Sequence, residues 1–225
     1  MNKDRESHRI FLIRHGETDW NKVFRYQGIS DVPLNGEGLE QARKLAVRLS
    51  RVLPDRVLAS PLSRAARTAE VIMELNASDT VIETRSELKE MSFGIWEGLT
   101  VAEIREIDLE TYEKWRLAPF SCSPAGGDDY DSIFERSKLF ASQLVNEGTP
   151  GQNTFVVAHG GVLRAIAAAL LELGDMDLLW KARFDNCSIT IIDIWGTRPS
   201  LLLSNDTWHL RITGDEAIAS MLFPY

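Results

Sequence analysis

The stretch IFLIRHGETDWN, residues 10–21, sets an uninterrupted apolar run directly against a cation, an imidazole and a glycine. Residues 10–13 are apolar at every position, which is typical of a strand buried on both faces of a parallel sheet. The arrangement recurs, because Asn153–Ala158 (NTFVVA) is followed by His159 and two glycines. Two strands that each end in a histidine and a glycine indicate a sheet edge that carries chemistry.

Strands and helices alternate along most of the chain. Further strands are predicted at residues 56–59, 80–84, 188–195 and 201–204. Helices are predicted after Asn35-Gly36, over residues 162–173, and after Ser60-Pro61, where Ser60 reads as an N-cap and Pro61 as the first helical residue. This alternation predicts a three-layer α/β/α sandwich with a mostly parallel central sheet. Ligands of such sheets bind beyond the carboxyl ends of the strands.

The length of the chain, 225 residues, fits a single domain spanning residues 1–225. Residues 93–136 interrupt the alternation with short helical patterns, loops and the turn PAGGDDYD. We therefore predict that 93–136 is an insertion that lies over the site as a lid.

Composition excludes several classes of protein. A net charge of −8 argues against a nucleic-acid partner, which requires a basic face. The longest apolar segment, residues 162–173, is too short to span a membrane. Cys122 and Cys187 have neither metal-site nor disulfide spacing, so a cytoplasmic location is expected. The segment SITIIDIW (188–195) is compatible with an edge strand of a homodimer but does not require one.

The residues at the strand ends suggest an anion site. His15 and His159 meet at one edge if their strands are neighbours, and Arg14 precedes the first of them. Arg64 lies near the start of a helix whose N-terminus faces the same edge. Guanidinium groups and helix-start amides bind phosphate, and Gly16 is expected to let a ligand approach the backbone. We therefore predict a phosphate pocket.

Five blocks of sequence carry a family resemblance. They are RHGETDWN (14–21), RYQGISDVPLNGEG (25–38), SPLSRAARTA (60–69), LKEMSFGIWEG (88–98) and VVAHGGVLRA (156–165). Together, in this order, they resemble the histidine phosphatase superfamily, also called the phosphoglycerate mutase-like family. The resemblance is strongest to its phosphatase branch, including the bacterial α-ribazole phosphatase-type enzymes.

The resemblance implies a role for each matched position. His15 is similar to the nucleophile that forms a phosphohistidine, and His159 to the second histidine of the pocket. Arg14 and Arg64 match the arginines that hold the phosphate, and Glu90 matches the proton donor to the leaving oxygen. The matched substrate contacts are Asn21, Gln27, Gly28 and Gly160. No metal or other cofactor is implied, and the substrate is a small phosphomonoester.

The chemistry is consistent with these roles. A histidine attacks phosphorus only as neutral imidazole, and the nearby charges of Arg14 and Arg64 disfavour the imidazolium form. Positive charge around the transferring group is the main requirement of phosphoryl transfer. Glu90 has to carry a proton to act as the acid.

Three functions are compatible with this set of residues. We favour a metal-independent phosphomonoesterase, acting on a small metabolite such as α-ribazole phosphate, phosphoglycerate or phosphoserine. The alternatives are a cofactor-dependent phosphoglycerate mutase and a non-catalytic module that binds a phosphorylated ligand. From Glu97 to Glu135 there are ten acidic residues against three basic ones (Arg105, Lys114 and Arg116). Such an acidic lid is expected to repel the bisphosphorylated ligands of a mutase.

Two groups of residues outside these motifs receive structural predictions. His8 is predicted to lie in a surface tail, and His209 is predicted to be structural. The aromatic residues of the insertion are expected to form a small core of their own, with stacking on a substrate ring as the alternative. They are Trp96, Tyr112, Trp115, Phe120 and Tyr130.

Overall fold

A six-stranded sheet forms the centre of the structure, which is a computed structural model that describes residues 7–118, 122–173 and 181–220. Its strands are β1 (His8–Arg14), β2 (Arg56–Ala59), β3 (Ile82–Thr84), β4 (Asn153–Ala158), β5 (Ile189–Trp195) and β6 (Arg198–Asp206). They are ordered β3-β2-β4-β1-β5-β6. The first four strands in this order are parallel to one another, β5 is antiparallel to β1, and β6 is antiparallel to β5. The prediction of a mostly parallel sheet is confirmed.

Helices cover both faces of the sheet. The described helices are α1 (Asp19–Lys22), α2 (Gly36–Leu49), α3 (Ser63–Leu75), α4 (Val101–Leu117), α5 (Tyr130–Glu147), α6 (Gly160–Leu170) and α7 (Asp215–Ala219). Helices α2 and α3 pack in the core on one face, and α5 and α6 pack in the core on the other. This is the predicted three-layer sandwich.

The alternation of side chains along β1 explains why both faces are apolar. Phe11 and Ile13 belong to the core under α2 and α3, whereas Ile10 and Leu12 belong to the core under α5 and α6. Successive side chains of a strand point to opposite faces. A continuous apolar run is therefore what a strand covered on both sides requires.

Helix α2 begins as the sequence predicts, and α3 does not. The side chain of Asn35 caps α2 by accepting a hydrogen bond from Gly38 N at 2.8 Å. The predicted cap of α3 at Ser60 is wrong, because α3 begins at Ser63 and its N-cap residue is Leu62. The Ser60 hydroxyl instead bonds His159 Nε2 at 2.8 Å.

His8 is not in a surface tail. It is the first residue of β1, it is buried, and its Nε2 lies 2.8 Å from Thr154 Oγ1 on β4. The prediction failed because the strand extends beyond the apolar run that marks it in the sequence. His209 is fully buried in the short helical turn Trp208–Leu210, as a structural residue would be.

The segment 93–136 contains more regular structure than the sequence suggested. The predicted short helical pieces are present as α4, in which two helical stretches meet at a kink at Asp108, whose backbone is not helical. Helix α5 begins at Tyr130, inside the same segment, and Asp129 caps it through Ser132 N. The division of the chain into one domain with an insertion stays a prediction.

Helix α2 lies directly against the loop that follows β1. A Cβ atom on Gly16 would lie 2.5 Å from Gly38 O, and a Cβ atom on Gly38 would lie 2.0 Å from Glu17 O. The contact atoms belong to the backbone, so they cannot rotate away. Gly16 is thus needed for the packing of α2, and its expected role in the approach of a ligand stays a prediction.

We expect Gly38→Ala to destabilise the protein by about 1–3 kcal/mol, because the added methyl group overpacks a backbone contact. Gly36→Ala is the matched control: it lies in the same helical turn, and a Cβ there would meet nothing within 4 Å. The control should be neutral or stabilising by up to about 1 kcal/mol, the difference in helix propensity. Urea unfolding measures both. Equal effects of the two substitutions would contradict the packing argument.

Candidate active site

The two strand-end histidines lie together at the carboxyl edge of the sheet. Strands β1 and β4 are paired in parallel so that Arg14 lies opposite Ala158. The next residues, His15 and His159, therefore leave the sheet side by side. Their ring centroids are 5.1 Å apart, and both rings are almost completely buried.

One hydrogen bond sets the tautomer of His15. Its Nδ1 lies 2.7 Å from Gly16 O. A carbonyl oxygen only accepts hydrogen bonds, so Nδ1 carries the proton. In the neutral ring Nε2 is then left with a free lone pair, which is the requirement for a nucleophile.

Two arginines face the histidines, and backbone carbonyls hold both of them. Arg64 donates from its terminal nitrogens to Gly28 O at 2.7 Å and Ser30 O at 2.8 Å. Arg14 donates to Phe184 O at 2.5 Å. The Nε atoms of both arginines are buried without a hydrogen-bond partner among the described residues. Each arginine thus keeps its positive charge and has a donor to offer an anion.

Burial and like charge keep the imidazoles neutral. The pKa of His15 lies well below its usual 6.5, first because of burial and then because of Arg14 and Arg64. The pKa of His159 is lowered in the same way, by burial and then by His15 and the arginines. Burial also lowers the pKa of Arg14, to about 10, so its guanidinium remains charged at neutral pH.

Glu90 lies on the start of helix α6. Its carboxyl oxygens accept hydrogen bonds from Gly161 N at 2.8 Å, Val162 N at 3.0 Å and Met91 N at 3.1 Å. A Cβ atom on Gly161 would lie 2.5 Å from Glu90 Oε1. A Cβ atom on Gly160 would lie 3.7 Å from Arg14, an ordinary contact distance. Gly161 is therefore required for the position of the carboxyl group, and Gly160 is not.

The helix-start amides expected to bind phosphate are occupied by side chains. At α3, Ser63 N donates to Asp31 Oδ1 at 2.7 Å. At α6, the first amides donate to Glu90. Carboxylates therefore occupy three of the helix-start amides, those of Ser63, Gly161 and Val162, and the arginine side chains supply the full positive charges of the site.

The predicted residues meet at a cavity of about 340 Å³. Its lining residues are Arg14, His15, Asn21, Phe24, Arg25, Tyr26, Gln27, Gly28, Arg64, Glu90, Phe93 and Val101. His159 and Gly160 are not among them, although His159 contacts the ring of His15 from behind. Asn21 reaches the cavity from α1, and Gln27 reaches it from the loop that follows α1. Thr18 Oγ1, at the start of α1, donates to Gln27 Oε1 at 2.9 Å.

No acidic residue of the insertion is among the described lining residues of this cavity, but Glu97 lies beside it and accepts hydrogen bonds from Ile29 N at 3.1 Å and Phe93 N at 3.0 Å. The expected repulsion of a second phosphate stays a prediction. Glu103 pairs with Arg25, and Glu110 pairs with Lys114. Glu113 pairs with Arg105 and Arg116. Glu90 is the sole acid of the lining within the described residues.

The aromatic residues of the insertion form a core, as predicted. Trp96, Tyr112 and Trp115 are buried against one another, with ring centroids 5.6 Å apart for Trp96–Tyr112 and Trp96–Trp115. Tyr130 packs in a different cluster with Met91 and Ile133. Phe120 lies outside the described residues. The aromatic rings that line the cavity are others: Phe24, Tyr26 and Phe93.

Sequence reasoning missed several residues that support the site. Ser60 bonds His159, and Thr68 accepts a hydrogen bond from Gly16 N at 3.1 Å. Asn186 donates to His15 O at 3.0 Å. Ser60 and Asn186 are polar residues next to predicted strands, but nothing local indicates their partners. Arg67, three residues after Arg64, is an exposed arginine that pairs with Glu70 and Glu74.

The described residues form neither a metal-ligand cluster nor a membrane-spanning helix. Within residues 7–118, 122–173 and 181–220, no group of three or more histidine, cysteine, aspartate or glutamate side chains is placed to hold a metal ion. None of the helices in those ranges has the length and apolar character needed to cross a membrane.

Comparison with known proteins agrees with this geometry. The sequence model of the histidine phosphatase superfamily (branch 1) matches residues 10–207. The chain is 35% identical to phosphoserine phosphatase 1 of Hydrogenobacter thermophilus over 202 residues, 90% of this chain and 94% of that protein. It is 34% identical to the adenosylcobalamin/alpha-ribazole phosphatase of Salmonella typhimurium over 186 residues, 83% of this chain and 90% of that protein. The crystal structure of the alpha-ribazole phosphatase from Shigella flexneri superposes with a TM-score of 0.79 at 32% identity, covering 88% of this chain and 96% of that one.

We expect His15 to remain neutral, with its proton on Nδ1, down to a pH well below 6.5, because its pKa is lowered by burial and by the two arginines. Long-range proton–nitrogen NMR spectra of protein with labelled histidine, recorded between about pH 5 and 8, report both the charge and the tautomer. His15→Asn assigns the signal by removing it. A titration midpoint near 6.5, or a proton on Nε2, would show that the site does not prepare this nitrogen.

Proposed function

The chain belongs to the histidine phosphatase superfamily (branch 1) and is a phosphatase, and we propose that it hydrolyses a small phosphomonoester, without a metal, through a phosphohistidine at His15. The main support for this proposal is the hydrogen bond from His15 Nδ1 to Gly16 O. It directs the free lone pair of Nε2 away from the backbone, in a ring whose neutral form is favoured by its surroundings.

The first step transfers the phosphoryl group to the enzyme. Nε2 of His15 attacks phosphorus, the Nε2–P bond forms, and the ester P–O bond breaks. Arg14 and Arg64 donate to the equatorial oxygens, where charge accumulates in the transition state. Because carbonyl groups already hold both guanidinium groups in place, they need not reorganise during the reaction. His159 adds a further polar group behind the phosphate. In this first step Glu90, acting as the general acid, gives its proton to the leaving oxygen, so the alcohol departs neutral.

The second step returns the enzyme to its starting state. The resulting carboxylate of Glu90 takes a proton from a water molecule that attacks phosphorus, and the Nε2–P bond breaks. Inorganic phosphate leaves, and Glu90 is again protonated.

The relatives support a small phosphorylated metabolite as substrate. Their names give phosphoserine and alpha-ribazole phosphate as substrates of those proteins. A phosphoglycerate mutase remains the second candidate, since no acid of the insertion is among the described lining residues of the cavity. A non-catalytic binding module is disfavoured because none of the five predicted catalytic residues is missing. Asn21, Gln27, Gly28 and Gly160 are kept as substrate contacts.

The proposal also covers the location of the protein and the kinds of partner it binds. We propose a cytoplasmic enzyme with a small-molecule partner and no nucleic-acid or membrane partner. A homodimer stays a prediction, but its edge cannot be the strand over 188–195. That strand is β5, which pairs with β1 on one side and with β6 on the other.

We expect protein mixed with a radiolabelled phosphomonoester and a chelator to carry acid-labile label when quenched within milliseconds in alkaline detergent. His15→Ala should abolish both the label and phosphate release, because the other histidine of the site, His159, is not among the described lining residues of the cavity and its Nε2 is bonded to Ser60. Arg67→Gln, an exposed substitution on α3, serves as the control and should be labelled like the wild type. Turnover by the His15→Ala variant would refute the phosphohistidine mechanism, and loss of activity in the chelator would refute metal independence.

We expect Glu90→Gln to slow hydrolysis of an alkyl phosphate by about 10²–10⁴-fold, the usual contribution of a general acid, and to affect p-nitrophenyl phosphate much less. An alkoxide needs the proton, and p-nitrophenolate does not. Gly161→Ala should shift selectivity in the same direction because it displaces the Glu90 carboxyl group. Arg67→Gln, an exposed substitution outside the cavity, should keep the leaving-group sensitivity of the wild type. A uniform loss with both esters would assign Glu90 another role.

A further inference from the structure

Phe24 is the most unusual residue of the cavity. It is an aromatic side chain that is 82% exposed, and its backbone has a φ of +55°. A side chain with a Cβ is strained in this region, and such strain is concentrated at functional sites. The turn after α1 holds the conformation, with Phe24 N donating to Asn21 O at 3.1 Å. An exposed apolar ring in a strained turn has no role in the packing of the fold.

The ring of Phe24 belongs to an apolar wall of the catalytic cavity. We call Phe24, Tyr26, Phe93 and Val101 the leaving-group wall, since these residues line the same cavity as His15 and Glu90. Tyr26 and Phe93 are in edge-to-face contact, with centroids 4.9 Å apart. Both also contact Trp115, at 5.9 and 6.0 Å. The aromatic core of the insertion therefore fixes two members of the wall, and Phe24 remains exposed to solvent opposite the phosphate site.

No cation of the lining is available for a second anionic group. Arg25, the remaining basic residue of the described lining, bonds Glu103 Oε2 at 2.6 Å and Gly98 O at 2.5 Å. Arg14 and Arg64 face His15. A carboxylate or second phosphate on the substrate would consequently lie against aromatic rings. It would lose hydration there without gaining a cation as a partner, which is unfavourable.

We propose that the leaving-group wall is a subsite for an apolar or aromatic alcohol, with Phe24 as the residue that determines this specificity. The inference rests on the proposed function, because it assigns the part of the substrate that departs after attack by His15. It predicts that esters of apolar alcohols are preferred over esters that carry a carboxylate, such as phosphoserine.

The test compares three esters: 2-phenylethyl phosphate, ethyl phosphate and phosphoserine. The first two share a primary alcohol leaving group and differ in the ring. We expect the wild type to favour 2-phenylethyl over ethyl phosphate by about tenfold or more in kcat/KM, the usual effect of filling an apolar pocket. Phe24→Ser should reduce that ratio by about tenfold, and Phe24→Leu by less. Val81→Ser, at a residue that is 78% exposed and outside the cavity, should leave the ratio unchanged.

An unchanged ratio in Phe24→Ser, or a wild type that prefers phosphoserine, would overturn the subsite while leaving the phosphatase mechanism intact. If the wild type hydrolyses none of the esters, the proposed mechanism fails, and calorimetric binding to His15→Ala decides the subsite separately. Tighter binding of 2-phenylethyl than of ethyl phosphate, lost on adding Phe24→Ser, would support it. Equal binding of the two esters would exclude it.

Discussion

The parallel pairing of β1 with β4 is the constraint on which the site depends. Its register places Arg14 beside Ala158, so that His15 and His159 leave the sheet at the same level. A shift by one residue would send one imidazole to the opposite face of the sheet. The core on both sides prevents such a shift, because every described side chain of residues 10–13 is buried under a helix layer. The pairing of β1 with β4 and the burial of residues 10–13 thus both stabilise the fold and fix the geometry of the site.

Burial then determines the electrostatics. Two guanidinium groups lie beside two imidazoles, and removing such cations from water is costly without partners. The structure meets this cost with backbone carbonyls, which bind Arg14 and Arg64 without cancelling their charge. A carboxylate partner would have neutralised the charge that a phosphate needs. Burial first, and then the neighbouring cations, lower the pKa of His15 and His159, so desolvation and like charge together prepare the proposed nucleophile.

Close backbone packing positions the remaining groups. Gly16 and Gly38 allow α2 to lie on the loop after β1, and Gly161 leaves space for Glu90 on α6. The cavity has one charged side and one apolar side. The apolar side is supported by the aromatic core of the insertion, whose charged residues pair on its outer surface. The insertion therefore contributes an apolar surface to the site, together with the carboxylate of Glu97 beside Phe93.

The sequence by itself determined the layered fold, the strand ends and the kinds of residue at the edge, because hydrophobic periodicity and strand termini are local properties. It also located Arg64 and Glu90 through motifs. Only the tertiary structure decided that Ser60 bonds His159 rather than capping α3, that His8 is buried in β1, and that no acid of the insertion is among the described lining residues of the cavity. The tautomer of His15 and the exposure of Phe24 were decided in the same way. Hydrogen-bond partners and solvent exclusion depend on contacts between segments far apart in the chain, which no local pattern encodes.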